Sequence, residues 1–156
     1  MLALRTSRHT HREELRRTWL FSECSDRELD AISALCVPID VDPGRILARS
    51  GERCAEVIVV VAGQAAVERG AALIGHLGPG AAIGTLGLVD ATAARETVTA
   101  ETGMTLLVLS VRELKGFLAT GRGRSIQHRL DVVGIERQRR ADAEPCDPEL
   151  LRAWGL

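Results

Sequence analysis

The chain has 156 residues, 46% of them apolar, and a formal net charge of −1. That length suits one compact domain with a helical appendage, and the apolar content is enough for a sizeable core. Near-neutrality removes any electrostatic reason to expect non-specific nucleic-acid binding, and no apolar run reaches the length of a membrane span.

Residues 1–19 read as a basic segment leading into a short helix. Arg5, Arg8, Arg12, Arg16 and Arg17 occur there without an apolar h-region, so the segment is not a secretory signal and the expected location is the cytoplasm. His9, His11, Glu13 and Glu14 are metal-ligand residue types, but a frayed terminus cannot fix a coordination geometry, and no metal site is assigned. Helical spacing from Arg12 to Leu20 ends near Trp19 and Phe21. Ser25 and Glu28 then have the spacing of a capping box, followed by Leu29, Ile32 and Leu35 on one apolar face.

After Cys36 the texture changes to short β-rich segments between glycine turns. Strands are expected near Val37–Val41, Arg45–Arg49, Glu56–Val61, Gln64–Arg69, Ala71–Leu77, Glu96–Glu101 and Thr105–Ser110. Gly44, Gly51, Gly63, Gly70 and Gly78 punctuate them. Many short strands at near-regular spacing argue for a barrel, sandwich or roll. Cys24, Cys36, Cys54 and Cys146 match no zinc or disulfide spacing and read as reduced thiols. Cys146, in a polar Pro-rich tail, is the one candidate for a redox role.

One stretch interrupts the strands: Gly78-Pro79-Gly80, then Gly84-Thr85-Leu86-Gly87-Leu88-Val89, with Arg95 a few residues on. It reads as a glycine corner followed by a short helical turn. N–H groups at a helix start have no intrahelical partners and, with the helix dipole, attract anions. A guanidinium nearby can add forked, charge-assisted bonds. Phosphate recognition is the chemistry this combination suggests. The plain alternative for Arg95 is a solvated side chain paired with Glu96 or Asp90, and strand alternation would turn it outward. His76 reads as a packed or edge histidine, not a catalytic base.

Helical spacing returns at Val111, with Leu114, Phe117 and Leu118 on one face. Gly121 and Gly123 break it. A longer helix begins at Ser125, with Ile126, Leu130 and Val133 at i, i+4 and i+7 and a basic run over Arg137–Arg140. Pro145 and Pro148 end it, before a last amphipathic piece, Pro148–Leu156, that holds Trp154. Trp154 reads as a residue docked on the core or, less simply, as a lid over a purine.

Taken in order, these segments resemble the cyclic nucleotide-binding domain of the catabolite-activator and protein-kinase-A regulatory superfamily. The likeness is carried by Leu20–Leu29, by Gly51 to Val67 with its acidic turn, by Ile74–Gly80, by Thr97–Thr102 and by Leu106–Ser110. It implies a mainly β chain with flanking helices: a β-roll over residues 20–119, the N-terminal segment 1–19, and a helical appendage over 120–156. It also implies a ligand, cyclic AMP or cyclic GMP, held at Gly84, Thr85, Leu86, Gly87 and Arg95. Thr85 stands where the family's ribose-binding glutamate usually lies, and Ala93 and Ala94 where its Pro-Arg pair would fall, with Arg95 one place later. No other cofactor is required.

The function expected is therefore a small regulatory module that binds cyclic nucleotide, if weakly, and signals through its C-terminal helices to a protein partner or to a second copy. The alternative is a degenerate roll serving as an interaction or structural unit. Catalysis is not expected, because no paired-carboxylate, Ser–His–Asp or Cys–His constellation has a plausible common site. Nor is direct DNA binding, because the residues after Arg137 are too few for a winged helix.

Overall fold

The computed structural model describes residues 11–89 and 94–141. The expectations for residues 1–10, Asp90, Ala93, Cys146 and Pro148–Leu156 with Trp154 lie outside the described residues. Residues 11–16 form helix α1, a 3-10 turn covers Trp19–Phe21, and α2 spans Asp26–Leu35. The strands are β1 (Val37–Val41), β2 (Ile46–Ala48), β3 (Glu56–Ala62), β4 (Ala65–Arg69), β5 (Ala72–Leu77), β6 (Ala82–Ile83), β7 (Thr97–Ala100) and β8 (Met104–Ser110). Helix α3 (Leu86–Val89) lies between β6 and β7, and α4 (Val111–Ala119) and α5 (Arg124–Ala141) follow β8.

The strands make two four-stranded sheets, ordered β1-β8-β3-β6 and β2-β7-β4-β5, with antiparallel pairing throughout. This is the expected mainly β roll with flanking helices. The sequence reading passed over β6, whose two residues are too short for any periodicity to register.

The run Val57-Ile58-Val59-Val60 shows how the roll acquires two cores. Successive side chains of a strand point to opposite faces. Val57 and Val59, with Leu107 and Leu109 of β8, face Leu20, Phe21, Leu29, Leu114, Ile126 and Leu130 on the helices. Ile58 and Val60, with Leu106 and Met104, face Val67, Leu77, Ile83 and Val98 inside the roll. A strand apolar on both faces must be covered on both, and this is what draws the N- and C-terminal helices onto one sheet. Leu15 of α1 and Ile126 of α5 lie in the same cluster as Val57.

The capping box forms as expected: Ser25 Oγ accepts from the Glu28 N–H at 3.1 Å, and Glu28 Oε1 accepts from the Ser25 N–H at 3.0 Å. The other carboxylate oxygen has a second task. Glu28 Oε2 accepts the Gly123 N–H at 2.6 Å, joining the start of α2 to the corner between α4 and α5. The bond from the Ser25 backbone, reinforced by the one from Gly123, holds this carboxyl below its usual value of 4.5. A carboxyl with a lowered folded pKa contributes stability above the unfolded value and loses it as pH falls through the folded one. Glu28→Gln is therefore expected to cost about 1–3 kcal/mol at neutral pH. The gap to the wild type should close on acidification below 4.5. Denaturant titrations on both sides of that value check this; a gap that does not change with pH would contradict it.

Cys24, Cys36 and Cys54 are free thiols. Burial raises the pKa of all three, that of Cys36 to about 12. Thiols so protonated are poor nucleophiles, which agrees with the packing role expected from their spacing.

Candidate functional site

The turn from Gly84 to Val89 is held against the backbone of residues 54–56. Gly84 has φ +85°, and a Cβ there would lie 2.3 Å from the Glu56 carbonyl oxygen. A Cβ on Gly87 would lie 2.3 Å from the Cys54 carbonyl oxygen. Both glycines are thus required by close backbone approach. The Gly87 N–H donates to the Gly84 carbonyl at 3.1 Å, and the Leu88 N–H to the Thr85 carbonyl at 3.0 Å. Two of the amides that the sequence offered to an anion are therefore engaged in closing the turn itself.

In front of the turn opens a hollow of about 390 Å³. Its wall includes Ala48, Cys54, Ile58, Ile83, Gly84 and Ala94. Arg49, Glu52, Arg53 and Glu56 also line it. Two cations face two anions there, and Arg49 is already paired with Glu52 at 3.6 Å. The inner end, between Thr85, Ala94 and Glu96, narrows to about 10 Å³, close to the least space that holds one water.

Alternation along β7 and the residues before it assigns each side chain to a face. Glu96, Val98 and Ala100 are buried, whereas Arg95 is exposed. Ala94 lines the hollow; Arg95 does not, and its carbonyl accepts from Ser50 Oγ at 3.0 Å. The segment is stitched to the acidic turn by the Gly51 N–H to the Ala94 carbonyl at 2.8 Å and the Ala94 N–H to the Glu52 carbonyl at 2.9 Å. Glu96 is 3% exposed and pairs with Arg69 of β4, so the partner suggested for Arg95 from sequence proximity belongs to another strand. Sequence reasoning missed Glu96 as the acid of the inner hollow. The signal was there: Glu96 shares the inward register of Val98 and Ala100. Thr85 is 5% exposed and lines the inner end together with Gly84. Leu86 opens α3. His76, read as packed or edge, is on β5 with its ring hydrogen-bonded to Glu101 at 2.6 Å.

The Gly84–Val89 turn, hereafter the cassette turn, also touches the C-terminal helix. A Cβ on Gly134 of α5 would lie 3.3 Å from Val89 Cγ1, and Leu88 packs in the core with Ile126 and Leu130. No helix among the described residues is long and apolar enough to cross a membrane.

The family model for the cyclic nucleotide-binding domain matches residues 38–120, and the chain belongs to that family. Among solved structures it is similar to the regulatory domain of Toxoplasma gondii protein kinase A with cAMP, at 15% identity and a TM-score of 0.73, covering 88% of this chain and 52% of that one. It is similar to the N-terminal domain of a transcriptional regulator from Streptomyces coelicolor A3(2), at 22% identity and a TM-score of 0.69, over 85% and 96% of the two chains. A third likeness is to the regulatory subunit of a cAMP-independent protein kinase A from Trypanosoma brucei, as a triple-substituted variant bound to cAMP in its A site. There the identity is 18% and the TM-score 0.67, over 90% of this chain and 48% of that one. The chain thus spans about half the length of the two kinase regulatory structures. The comparison with curated proteins gives no match. These likenesses establish the fold.

Proposed function

We infer that this chain is a regulatory β-roll that keeps the family's fold and hollow but not its anion clamp, and that it works through protein contacts of its helices, not through tight capture of a cyclic nucleotide. One observation carries this reading: the side chain presented to the hollow beside the cassette is Ala94, with the buried carboxylate of Glu96 next to it, while Arg95 is exposed. A cyclic phosphate carries a negative charge, and bringing it beside a buried carboxylate is unfavourable when the guanidinium nearest that carboxylate, Arg69, is already paired with it.

The size of the effect is decisive. A hydrogen bond to a charged group contributes about 1.5–3 kcal/mol, roughly one to two orders of magnitude in affinity. Thr85 and Ala94 remove two such anchors, so binding should weaken by about 10²–10⁴-fold relative to an intact site. The Trypanosoma relative, cAMP-independent and seen with cAMP as a substituted variant, agrees with a roll in which fold and ligand have parted. The packing of Val89 against Gly134 offers the route from the cassette to α5, whose surface would meet a partner or a second copy.

A second reading is favoured by the open hollow itself: weak binding of cyclic AMP or cyclic GMP at Gly84, Thr85, Leu86 and Gly87, with Arg53 at the mouth. Thermal melts with cyclic AMP, cyclic GMP and AMP separate the two. Ligand at 100 times its Kd adds about 2.7 kcal/mol, a rise of roughly 5–10 °C for a chain of this size. No rise is expected at millimolar nucleotide. A rise specific to a cyclic nucleotide and abolished by Arg95→Ala would overturn the reading and return the arginine to the site.

A further inference from the structure

Glu96 gives the hollow a polarity of its own. The outer hollow and its inner end share the walls Ala48, Cys54, Ile83, Gly84 and Ala94, so they form one continuous space with a narrow floor. Glu96 lines that floor, whereas Arg69, its partner on β4, lines neither part. The floor therefore meets the carboxylate end of the ion pair, and the guanidinium stands outside.

The pair does not use up the carboxylate. Oε1 accepts from Arg69 Nη2, whereas Oε2 has no hydrogen-bond partner among the described residues. Nor is Oε2 sealed off: among the described residues, the one fully enclosed side-chain oxygen or nitrogen without a partner is Thr18 Oγ1. Glu96 is 3% exposed and lines the floor, so this oxygen is held at the bottom of the hollow, largely out of bulk water. An ionised carboxylate has about four lone-pair sites to satisfy, and one held out of water carries a desolvation cost until donors reach it. A donor entering from the hollow relieves that cost.

We propose that the hollow binds a small primary alkylammonium ion, whose ammonium group donates to Glu96 Oε2 and whose alkyl stem lies along Ile58 and Ile83. Charge sets the sign, because an ammonium makes a charge-assisted hydrogen bond to a carboxylate and an anion is repelled by it. Size sets the head group. A floor of about 10 Å³ takes a group no larger than a water molecule, which a primary ammonium matches and a quaternary one exceeds. The wall sets the stem, since Ala48, Ile58 and Ile83 present apolar surface on the way to the floor. The inference rests on the same reading of Glu96 as the proposed function, and names what the altered site takes in place of an anion.

n-Butylammonium, n-butanol and butyrate are the probes, titrated into the whole protein at constant ionic strength with amide correlation spectra as the readout. Butylammonium is expected to shift the amides of Ala48, Gly84, Ala94 and Glu96 in a saturable way, leaving Gly116 on α4 unmoved. Butanol, the same stem with a neutral head, should need about tenfold higher concentration, the difference between a charged and a neutral hydrogen bond. Butyrate should give no saturable shift at these residues. Glu96→Gln should weaken butylammonium about tenfold and bring it level with butanol. No saturable shift with butylammonium, shifts centred away from the hollow, butanol or butyrate binding as tightly, or equal affinity in Glu96→Gln would each overturn the proposal. The comparison among probes needs no variant, so the test stands even if the substitution unfolds the protein. Cyclic AMP titrated alongside separates this inference from the proposed function: silence from both cyclic AMP and butylammonium overturns the inference alone, whereas tight binding of cyclic AMP overturns both.

Discussion

Gly84→Ala is expected to lower the melting midpoint by roughly 10 °C, from a loss of about 3 kcal/mol or more. Two costs combine. The residue sits at φ +85°, where a side chain is strained, at about 1–3 kcal/mol. Its new Cβ would lie 2.3 Å from the Glu56 carbonyl oxygen, a backbone atom that cannot swing aside as a flexible side chain could. Either the cassette or the start of β3 must move, and overpacking of this kind typically costs a further 1–3 kcal/mol or so. Two neighbours calibrate the result. Gly87→Ala meets the Cys54 carbonyl at the same 2.3 Å without positive φ, and should cost less. Gly78→Ala places a Cβ in open space at ordinary φ and should be close to neutral. Chemical denaturation of the three variants orders them. If Gly84→Ala were as stable as Gly78→Ala, the close seating of the cassette on residues 54–56 would be wrong.

The other large effect is a gain. A chain carrying Thr85→Glu, Ala94→Arg and Glu96→Ala together is expected to bind cyclic AMP or cyclic GMP about 10²–10⁴-fold more tightly than the wild type, as two charged anchors return and a repulsive carboxylate leaves. The intermediate steps are informative because the three changes are coupled. Ala94→Arg alone should bind nothing new. Its guanidinium would enter a space of about 10 Å³ beside Glu96 and pair with that carboxylate, not with a ligand. Removing Glu96 frees both the space and the charge, while Arg69, a third exposed, can turn to solvent. Isothermal titration of each single, double and triple variant measures the series. A folded triple variant that ignores both nucleotides would show that the hollow, and not merely its charged residues, has changed.

Much of the architecture could be read locally. The capping box at Ser25 and Glu28, the break at Gly121 and Gly123 and the apolar face of α4 depend on residues within a turn or two of one another. Seven of the eight strands were legible for the same reason, since alternation and turn glycines are short-range signals. The site was legible in outline. The order of glycines located the cassette, and the departures at Thr85 and Ala94 raised the question of its charge. The answer was less accessible, because Arg95 and Glu96 are adjacent in sequence and differ only in the face to which the strand turns them.

What the sequence determined alone, then, was the β-roll, its helices and the place of the cassette, because backbone preferences and hydrophobic periods act between near neighbours. Only the tertiary structure decided what the cassette faces. It brought Arg69 to Glu96 across 27 residues and Glu28 to Gly123 across 95. Such meetings are set by how sheets and helices stack, and a buried charge acquires its meaning from groups that the chain supplies from far away.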